Sequence, residues 1–295
     1  MEIAGRRLAL SNLEKPFYPA SGFTKAEVVD YYRRIAACMV PHLRDRAVTL
    51  KRYPEGVSGP FFFEKRCPSH HPDWVRTAEV RHQGETLSAC LVNELASLIW
   101  VANLAAIELH CPLARAASPE TPDALVFDLD PGEPADVLSC ARVALILRQL
   151  LSRLHLASLV KTSGRKGLHV FVPLNRPETS FEATKTFSRT VALSLQNNYP
   201  GLVTAKMAKE ERHGRVFINW SQNDAAKTMI CAYSLRGVEQ ATVSCPLAWE
   251  ELEQLAAAED PEKLRFSPGE VVRRAEQSGD LFAEVLMREQ RLPHL

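Results

Sequence analysis

The stretch Ala124-Leu125-Val126-Phe127-Asp128-Leu129-Asp130, followed at once by Pro131-Gly132, decides how the chain is interpreted. The apolar run predicts a β-strand, and the proline–glycine pair predicts a turn directly after it. Because alternate residues of a strand share one face, we expect the carboxylates of Asp128 and Asp130 to converge. Two close carboxylates repel each other unless a cation lies between them, and an all-oxygen pair suits Mg²⁺ or Mn²⁺. The stretch therefore predicts a metal site, with a pair of solvated turn acids as the alternative.

The composition indicates an intracellular enzyme of one domain. The 295 residues can bury a large core, and we expect a single domain over residues 1–295 with two lobes around a central cleft. Lys and Arg number 36 against 35 Asp and Glu, so a polyanion must be held by a local basic patch. Seven scattered cysteines without a C-x-x-C pair predict reduced thiols and no disulfide framework. Without a signal peptide or a bilayer-spanning apolar run, the chain is expected in the cytoplasm.

Periodicity predicts mixed helices and strands without a regular βαβ alternation. Thr24-Lys25-Ala26-Glu27 is a capping box that opens a helix through about Val40, with Pro41 as its stop. Further helices are expected at 90–106, 135–156, 181–198, 246–258 and 268–276. Strands are expected at 47–53, 61–63, 107–111, 124–130, 158–162, 168–173, 202–207 and 215–220. This order favours an α+β fold in which helices flank largely antiparallel sheets.

A glycine-rich basic turn lies between two of these predicted strands. Ser163-Gly164-Arg165-Lys166-Gly167 combines two glycines with cations and a hydroxyl, so that backbone amides could approach an anion. The spacing differs from that of a P-loop, and an ordinary basic hairpin is the alternative. Beside a metal-binding acid pair, a nucleoside triphosphate becomes the favoured ligand, because its phosphates bridge metal and cations.

Several other polar residues have both a structural and a functional interpretation. His110 and His169 are flanked by apolar residues, as buried core histidines are, and Arg236 either clamps a phosphate or forms an exposed ion pair. Phe61-Phe62-Phe63 has the pattern of a core strand, in which one of any two neighbours is buried. Cys67 with His70 and His71 could bind zinc if Cys90 or His82 completed the site, but this is the less favoured interpretation.

In their joint order, the motifs resemble the polymerase domain of bacterial DNA ligase D, a branch of the archaeo-eukaryotic primase superfamily that acts in non-homologous end joining. The resemblance covers nearly the whole chain. It is carried by the segments 10–15, 18–19, 50–54, 62–65, 108–110, 126–131, 163–169, 220–223, 233–237 and 279–282. The ligase and phosphoesterase modules that often accompany this domain are not in the sequence, which indicates a stand-alone member or an excised piece.

The resemblance implies a primase-polymerase-like fold and a role for each matching residue. Asp128 and Asp130 match the acids that hold two divalent ions, commonly Mn²⁺ and otherwise Mg²⁺, and Asn219 occupies the position of the third catalytic acid. Nucleotide-binding positions for an NTP or dNTP substrate are matched by Lys51, His110, Ser163, Lys166, Gly167, His169, Gln222 and Arg236. DNA-binding positions are matched by Lys15 and Lys25, which would receive the 5′-phosphate of a broken end, and by Phe62 and Phe63, which would stack on the template.

Asn219 is the main departure from the family pattern. An amide oxygen can ligate a divalent ion, but it removes one negative charge and cannot assist deprotonation of a 3′-hydroxyl. Asp224 should face the opposite side of the strand, so that only a bulge or turn would let it replace the missing acid. We therefore expect a slow or strongly Mn²⁺-dependent enzyme.

The expected function is template-dependent gap filling and end extension in end-joining repair, with a preference for ribonucleotides. The alternative is a DNA-end-binding and bridging module whose catalysis is weakened or lost through Asn219, and a metal phosphoesterase is a third, less favoured activity. The resemblance implies DNA ends with a 5′-phosphate, Ku and a DNA ligase as partners. It also implies association with the nucleoid, no membrane, and a monomer that can form an end-bridging dimer on DNA.

Overall fold

The computed structural model describes residues 2–82 and 84–293, which divide into two compact units. The first unit comprises Met1–Pro119, Thr228–Ser244 and Phe266–Asp280. The second unit comprises Glu120–Lys227, Cys245–Arg265 and Leu281–Leu295.

The described residues form six α-helices, three in each unit. In chain order they are α1 (Lys25–Leu43), α2 (Leu95–Asn103), α3 (Val137–Arg153), α4 (Phe181–Asn198), α5 (Trp249–Ala257) and α6 (Pro268–Ser278). Short 3₁₀-helices lie at Lys209–Arg212, Trp220–Gln222, Pro261–Leu264 and Ala283–Leu286. None of the helices in the described ranges is long and apolar enough to cross a membrane.

Strands make up the rest of the regular structure. In the first unit they are β1 (Glu2–Ile3), β2 (Arg6–Arg7), β3 (Pro16–Tyr18), β4 (Phe23–Thr24), β5 (Thr49–Arg52), β6 (Phe62–Glu64), β7 (Thr77–His82), β8 (Glu85–Cys90) and β9 (Ala106–Cys111). The second unit contributes β10 (Ala124–Pro131), β11 (Leu159–Thr162), β12 (Leu168–Pro173), β13 (Val203–Thr204) and β14 (Val216–Asn219). The first unit then adds β15 (Met229–Ile230), β16 (Leu235–Arg236) and β17 (Thr242–Val243), and the second ends the series with β18 (Pro246–Leu247).

The second unit is built on a six-stranded sheet in the order β13-β14-β10-β12-β11-β18. The pairs are antiparallel except β13 with β14, which is parallel. The central strand β10 is the predicted acid strand, and α3 and α4 pack on it. Leu125, Val126, Phe127 and Leu129 are fully buried there, so the strand supplies core and site residues together.

The first unit contains a four-stranded sheet in the order β15-β9-β5-β6, together with small two-stranded sheets. Helices α1 and α2 pack against each other. The side chain of Thr24 accepts from the Glu27 amide and the Glu27 carboxylate accepts from the Thr24 amide, so the predicted capping box is present. Strand β6 pairs with β5 alone among the described strands and is an edge of this sheet.

The predicted α+β class with largely antiparallel sheets is confirmed, but several boundaries differ, three of them for a clear reason. Helix α1 continues through Pro41 to Leu43, because a proline near the helix end loses one backbone hydrogen bond while Val40 and Leu43 gain buried contacts. The predicted helix 90–106 begins at Leu95, since Cys90 closes strand β8. Pro246, predicted to open a helix, lies in β18 and pairs with β11.

The prediction that every thiol is reduced is wrong for one pair. Cys67 and Cys90 form a disulfide, and the remaining cysteines are buried and not disulfide-bonded (Cys38, Cys111, Cys140, Cys231 and Cys245). The Cys67 amide also donates to the Ser88 carbonyl at 2.7 Å, which brings the loop after β6 against β8. Spacing alone could not indicate this bond, because the hairpin β7–β8 that delivers Cys90 was not predicted.

Candidate active site

The second unit places Asp128 between two polar side chains from neighbouring strands. In the sheet register Asp128 pairs with His169 of β12 on one side and with Asn219 of β14 on the other. The Nε2 atom of His169 lies 3.3 Å from Asp128 Oδ1, and Asn219 Nδ2 donates to Asp128 Oδ2 at 3.1 Å. Asp128 is buried. The structure therefore brings together an acid, an imidazole and an amide that are far apart in the sequence.

Asp130 lies two residues further along the same strand, on the face it shares with Asp128. Burial and the neighbouring charge of Asp128 raise the pKa of Asp130 to about 7, although Arg212 acts in the opposite direction. Two carboxylates that repel each other in a buried setting favour a divalent cation between them. The oxygen donors present therefore fit Mg²⁺ or Mn²⁺, with Asp128 and Asp130 as the carboxylate ligands.

Asn219 is held by a chain of hydrogen bonds on the side away from Asp128. The hydroxyl of Ser221 donates to Asn219 Oδ1 at 2.7 Å, and Lys227 Nζ donates to the Ser221 oxygen at 2.8 Å. This arrangement aims the amide nitrogen at Asp128, so the amide must turn before its oxygen can ligate a metal beside Asp128. Asp224 does not substitute for the missing acid here, because it forms an ion pair with Lys185 at 2.7 Å.

The basic turn lies between β11 and β12, as predicted, and β12 is the direct neighbour of the acid strand. The hydroxyl oxygen of Ser163 accepts from the amides of Arg165 and Gly167, so these two amides organise the turn itself. A Cβ at Gly167 would lie 2.1 Å from the Leu129 carbonyl oxygen, which explains the requirement for glycine beside the acid strand. Lys166 is exposed and pairs with Glu133 at 3.1 Å.

The other predicted nucleotide-binding residue of this unit, Gln222, ends the 3₁₀-helix that follows β14. The structure brings it to the end of the strand that carries Asn219.

In the first unit, Glu108 of β9 gathers the predicted nucleotide-binding residues. Its carboxylate accepts from His110 Nε2 at 3.0 Å, and lies 3.4 Å from Lys51 Nζ and 3.6 Å from Arg236 Nη1. Glu108 is 1% exposed, so a full charge is buried among these groups. Burial lowers the pKa of His110, and the cations act in the same direction against the opposing effect of Glu108. The net shift favours the neutral form of His110.

Glu108 was missed as a site residue, although the sequence carried a signal for it. Ile107-Glu108-Leu109-His110 alternates, which puts the carboxylate and the imidazole on one strand face. The Tyr53 hydroxyl donates to Glu108 at 2.9 Å and the Gly237 amide at 3.0 Å. A Cβ at position 237 would lie 2.1 Å from the Tyr53 ring, so the chain approaches this carboxylate through glycine.

Lys15 and Lys25 are neighbours in the first unit, where the Lys25 amide donates to the Lys15 carbonyl at 2.8 Å. Lys25 is buried and donates to the Ser11 carbonyl at 2.7 Å, whereas Lys15 pairs with Glu55 at 2.6 Å nearer the surface. Burial lowers the pKa of Lys25, and the charges of Lys15 and Arg52 lower it further. Arg52, which the sequence did not single out, is therefore part of the same positive region.

The aromatic triplet is exposed, contrary to the expectation that one of two neighbours would be buried. Phe61, Phe62 and Phe63 are 51%, 43% and 55% exposed, because β6 is an edge strand. Arg52 lies over the Phe62 ring at 5.2 Å, whereas Lys51 lies 3.9 Å above Phe61 and 5.6 Å from Phe63. The strand thus turns its aromatic residues toward two different cations.

The structural alternatives for the remaining residues can be compared directly. His169 and Arg236 are buried, and the exposed ion pair considered for Arg236 is wrong. Cys67 and Cys90 are consumed in their disulfide. Within residues 2–82 and 84–293, no group of three or more His, Cys, Asp or Glu side chains could hold a metal, and the side chain of His82 lies outside the described part. The acid pair on β10 differs from such a group because its third member is an amide.

Comparison with known families gives a match over most of the chain. The model described as "LigD, primase-polymerase domain" matches residues 24–282. The "Multifunctional non-homologous end joining protein LigD" of Mycolicibacterium smegmatis is 43% identical over 279 residues, which are 94% of this chain and 36% of that protein. The "Bifunctional non-homologous end joining protein LigD" of Bacillus subtilis is 32% identical over 84% of this chain and 40% of its own length. The chain therefore spans little more than a third of these curated relatives.

A solved structure is similar over nearly the full length of both chains. The "Polymerase Domain from Mycobacterium tuberculosis Ligase D in complex with DNA" superimposes with a TM-score of 0.89 and 38% sequence identity. The alignment covers 96% of this chain and 99% of that one.

Proposed function

The chain belongs to the LigD primase-polymerase family, and from that membership we propose that it is a nucleotidyltransferase that extends the 3′ end of a DNA break. In this proposal it fills short gaps or overhangs against a template, with ribonucleotides favoured over deoxyribonucleotides. The observation that carries the proposal is the register of the central sheet, in which Asp128 lies beside His169 and Asn219, next to the Ser163 turn.

A divalent metal and a nucleoside triphosphate are the expected cofactor and substrate of such an enzyme. We assign the metal-holding role to Asp128 and Asp130, with Asn219 able to contribute its amide oxygen after turning. Mn²⁺ is favoured over Mg²⁺, because one negative charge fewer at position 219 gives a weaker site. When bound, two such ions would activate the 3′-hydroxyl and stabilise charge on the phosphates during an in-line displacement.

The chain's own residues would bind and orient the triphosphate. Ser163 has a hydroxyl proton to donate after accepting two amides, and Lys166 can exchange its exposed partner Glu133 for a phosphate. We also assign nucleotide binding to Gly167, His169 and Gln222, and, from the family resemblance, to Lys51, His110 and Arg236. A buried cation holds a phosphate more strongly than an exposed one, since water screens it less.

Recognition of the broken end is assigned to Lys15 and Lys25, with Arg52 beside them. A terminal phosphate carries more charge than an internal one, so a small basic pocket can select ends in a protein of net charge +1. The exposed Phe62 and Phe63 could stack on template bases. We further propose Ku and a DNA ligase as its cellular partners, and an end-bridging dimer on DNA.

Primer extension on a gapped duplex tests the proposal. The substrate carries a 5′-phosphate at the downstream side of the gap, and each rNTP and dNTP is supplied with Mn²⁺ or with Mg²⁺. We expect templated addition, faster with rNTPs and with Mn²⁺. Asp128→Asn should abolish addition, while the matched change Asp30→Asn, at an exposed acid on α1, should leave it intact.

The outcome also separates the polymerase from an end-binding module. No incorporation under any metal and nucleotide, together with intact binding to the phosphorylated end, would contradict the polymerase and support the bridging alternative.

A further inference from the structure

Lys161 is a fully buried lysine that the proposed chemistry does not use. It lies on β11, directly opposite His169 of β12 in the sheet register, and only 1% of it is exposed. Its Nζ atom lies 2.9 Å from Nδ1 of His169. The opposite ring nitrogen of the same histidine faces Asp128 at 3.3 Å. A lysine, a histidine and the proposed metal-binding acid therefore follow one another across three neighbouring strands.

The Lys161 amine decides which groups donate in the row of contacts from Lys161 through His169 to Asp128. When the Lys161 amine is protonated, it carries three N–H donors and no lone pair, so the ring nitrogen of His169 that faces it must accept. Nδ1 of His169 then lacks a proton, and the neutral ring carries its proton on Nε2. Nε2 faces Asp128 Oδ1 at 3.3 Å, so in this tautomer the imidazole can donate to the carboxylate.

We propose that Lys161 is a positioning residue that fixes His169 in the Nε2–H tautomer and, through it, fixes the carboxylate of Asp128. The consequence for catalysis depends on the proposed polymerase function, but the tautomer does not. Asn219 Nδ2 holds the other oxygen of Asp128 at 3.1 Å, so both sides of this acid are restrained against rotation.

This assignment defines what His169 can and cannot do. With a proton on Nε2, the nitrogen has no lone pair on the side of the acids and cannot ligate a divalent ion there. It can donate to a carboxylate or to a phosphate oxygen, because both are acceptors. Lys161 therefore makes His169 a donor toward the site, and the metal is left to the oxygen ligands.

The tautomer can be measured in the parental protein without metal or nucleotide. Nitrogen–proton correlation spectra of the nine histidine rings distinguish the two neutral tautomers, and the His169→Gln variant identifies the signal that disappears. We expect the Nε2–H form. An Nδ1–H form, in which the lysine would be the acceptor, would overturn the proposal.

A double-mutant cycle tests whether Lys161 acts through His169. Lys161→Met keeps the volume of the side chain but removes its donors, and it should weaken Mn²⁺ binding and kcat by roughly 10- to 100-fold. His169→Gln places an amide N–H where Nε2 lies and needs no lysine behind it. In that background Lys161→Met should add little, whereas full additivity of the two changes would contradict the proposal.

The control is Lys263→Met, an exposed lysine of the second unit. Mn²⁺ binding is measured by electron paramagnetic resonance, and kcat is measured by primer extension. If the parental protein extends no primer, the polymerase function fails, while the spectra and the Mn²⁺ affinities still decide the role of Lys161.

Discussion

At the scale of single residues, the site depends on which neighbours hold a carboxylate in place. Asp128 is flanked by an amide and an imidazole, and Glu108 by two cations, an imidazole and a phenol. Sequence alternation predicts that Asp128 and Asp130 share a face. It could not show that Asn219 would donate to Asp128, since amide orientation depends on Ser221 and Lys227.

Asn219→Asp should lower the stability of the metal-free protein and raise the rate of primer extension. A second carboxylate opposite Asp128 has no proton to donate at neutral pH, so the metal-free protein should melt at a lower temperature. Bound Mn²⁺ should offset this, and primer extension should rise on the order of 100-fold, because the added charge strengthens the metal site and can assist proton removal. Melting curves with and without Mn²⁺ and single-turnover extension measure both effects. Asn198→Asp, at the end of α4, is the matched control. Equal extension rates for the parental protein and the Asn219→Asp variant would show that the third acid is dispensable here.

Asp130 should make the metal-free protein less stable as pH rises. Its pKa is raised from 3.8 to about 7 in the folded state, so between these values the native protein binds more protons than the unfolded chain. The free energy of unfolding therefore falls as pH increases from about 4 to about 7. Urea titrations across this range, in a metal chelator, should show a smaller decrease for Asp130→Asn. A decrease of the same size in both proteins would rule out Asp130 as its source.

Glu108→Gln should destabilise the first unit. The change removes the buried carboxylate charge that Lys51 and Arg236 face, and breaking such a buried pair typically costs about 3–5 kcal/mol. Urea denaturation measures the loss, and the KM for the nucleotide should rise as well. Glu284→Gln, which removes an exposed partner of Arg288, should cost about 0–1 kcal/mol. Similar values for the two variants would exclude the central role of Glu108.

At the scale of elements, local signals located most helices and strands. Helix α4 and strand β12 have the predicted bounds, because each combines a clear period with a cap or turn at its end. The β7–β8 hairpin and the start of α2 were missed, since the apolar run near Cys90 fits a strand as well as a helix. The aromatic triplet was expected to be partly buried, but its strand lies at an edge, and edge position depends on tertiary pairing.

The Cys67–Cys90 disulfide should stabilise the loop that follows the aromatic strand. A bond that closes a loop of 23 residues contributes about 3 kcal/mol in the chain-entropy estimate. Chemical denaturation should show a loss of this order when the protein is reduced, or when both cysteines are changed to serine. Reductant should have no further effect on the double variant. If reduction leaves the parental protein unchanged, the bond does not contribute to stability.

At the scale of the whole molecule, the net charge limits how strongly the protein attracts DNA. The net charge of +1 gives little attraction to DNA at a distance, so we expect DNA binding to come from local groups and propose Lys15 and Lys25 for this role. The family resemblance indicated those residues; composition did not. Two lobes were expected within one domain, but neither line of reasoning gave bounds for the compact units, because their segments alternate along the chain.

End binding should therefore depend on the terminal phosphate. We expect the affinity for a recessed duplex to fall on the order of tenfold when the 5′-phosphate is removed, and the difference to shrink as salt is raised. Fluorescence anisotropy with phosphorylated and unphosphorylated duplexes measures it. Lys25→Met should abolish the difference, and Lys263→Met should preserve it. Discrimination that survives Lys25→Met would place the recognition elsewhere.

The close approach of Gly237 to the Tyr53 ring limits how this protein can vary. Even a methyl group would overlap the ring, and the backbone amide there is one of the donors to Glu108. Residue 237 should therefore remain glycine during evolution, while the residues on exposed helix surfaces diverge. In a saturation library scored for growth or folding, substitutions of Gly237 should be tolerated only when Tyr53 is also replaced by a residue without an aromatic ring.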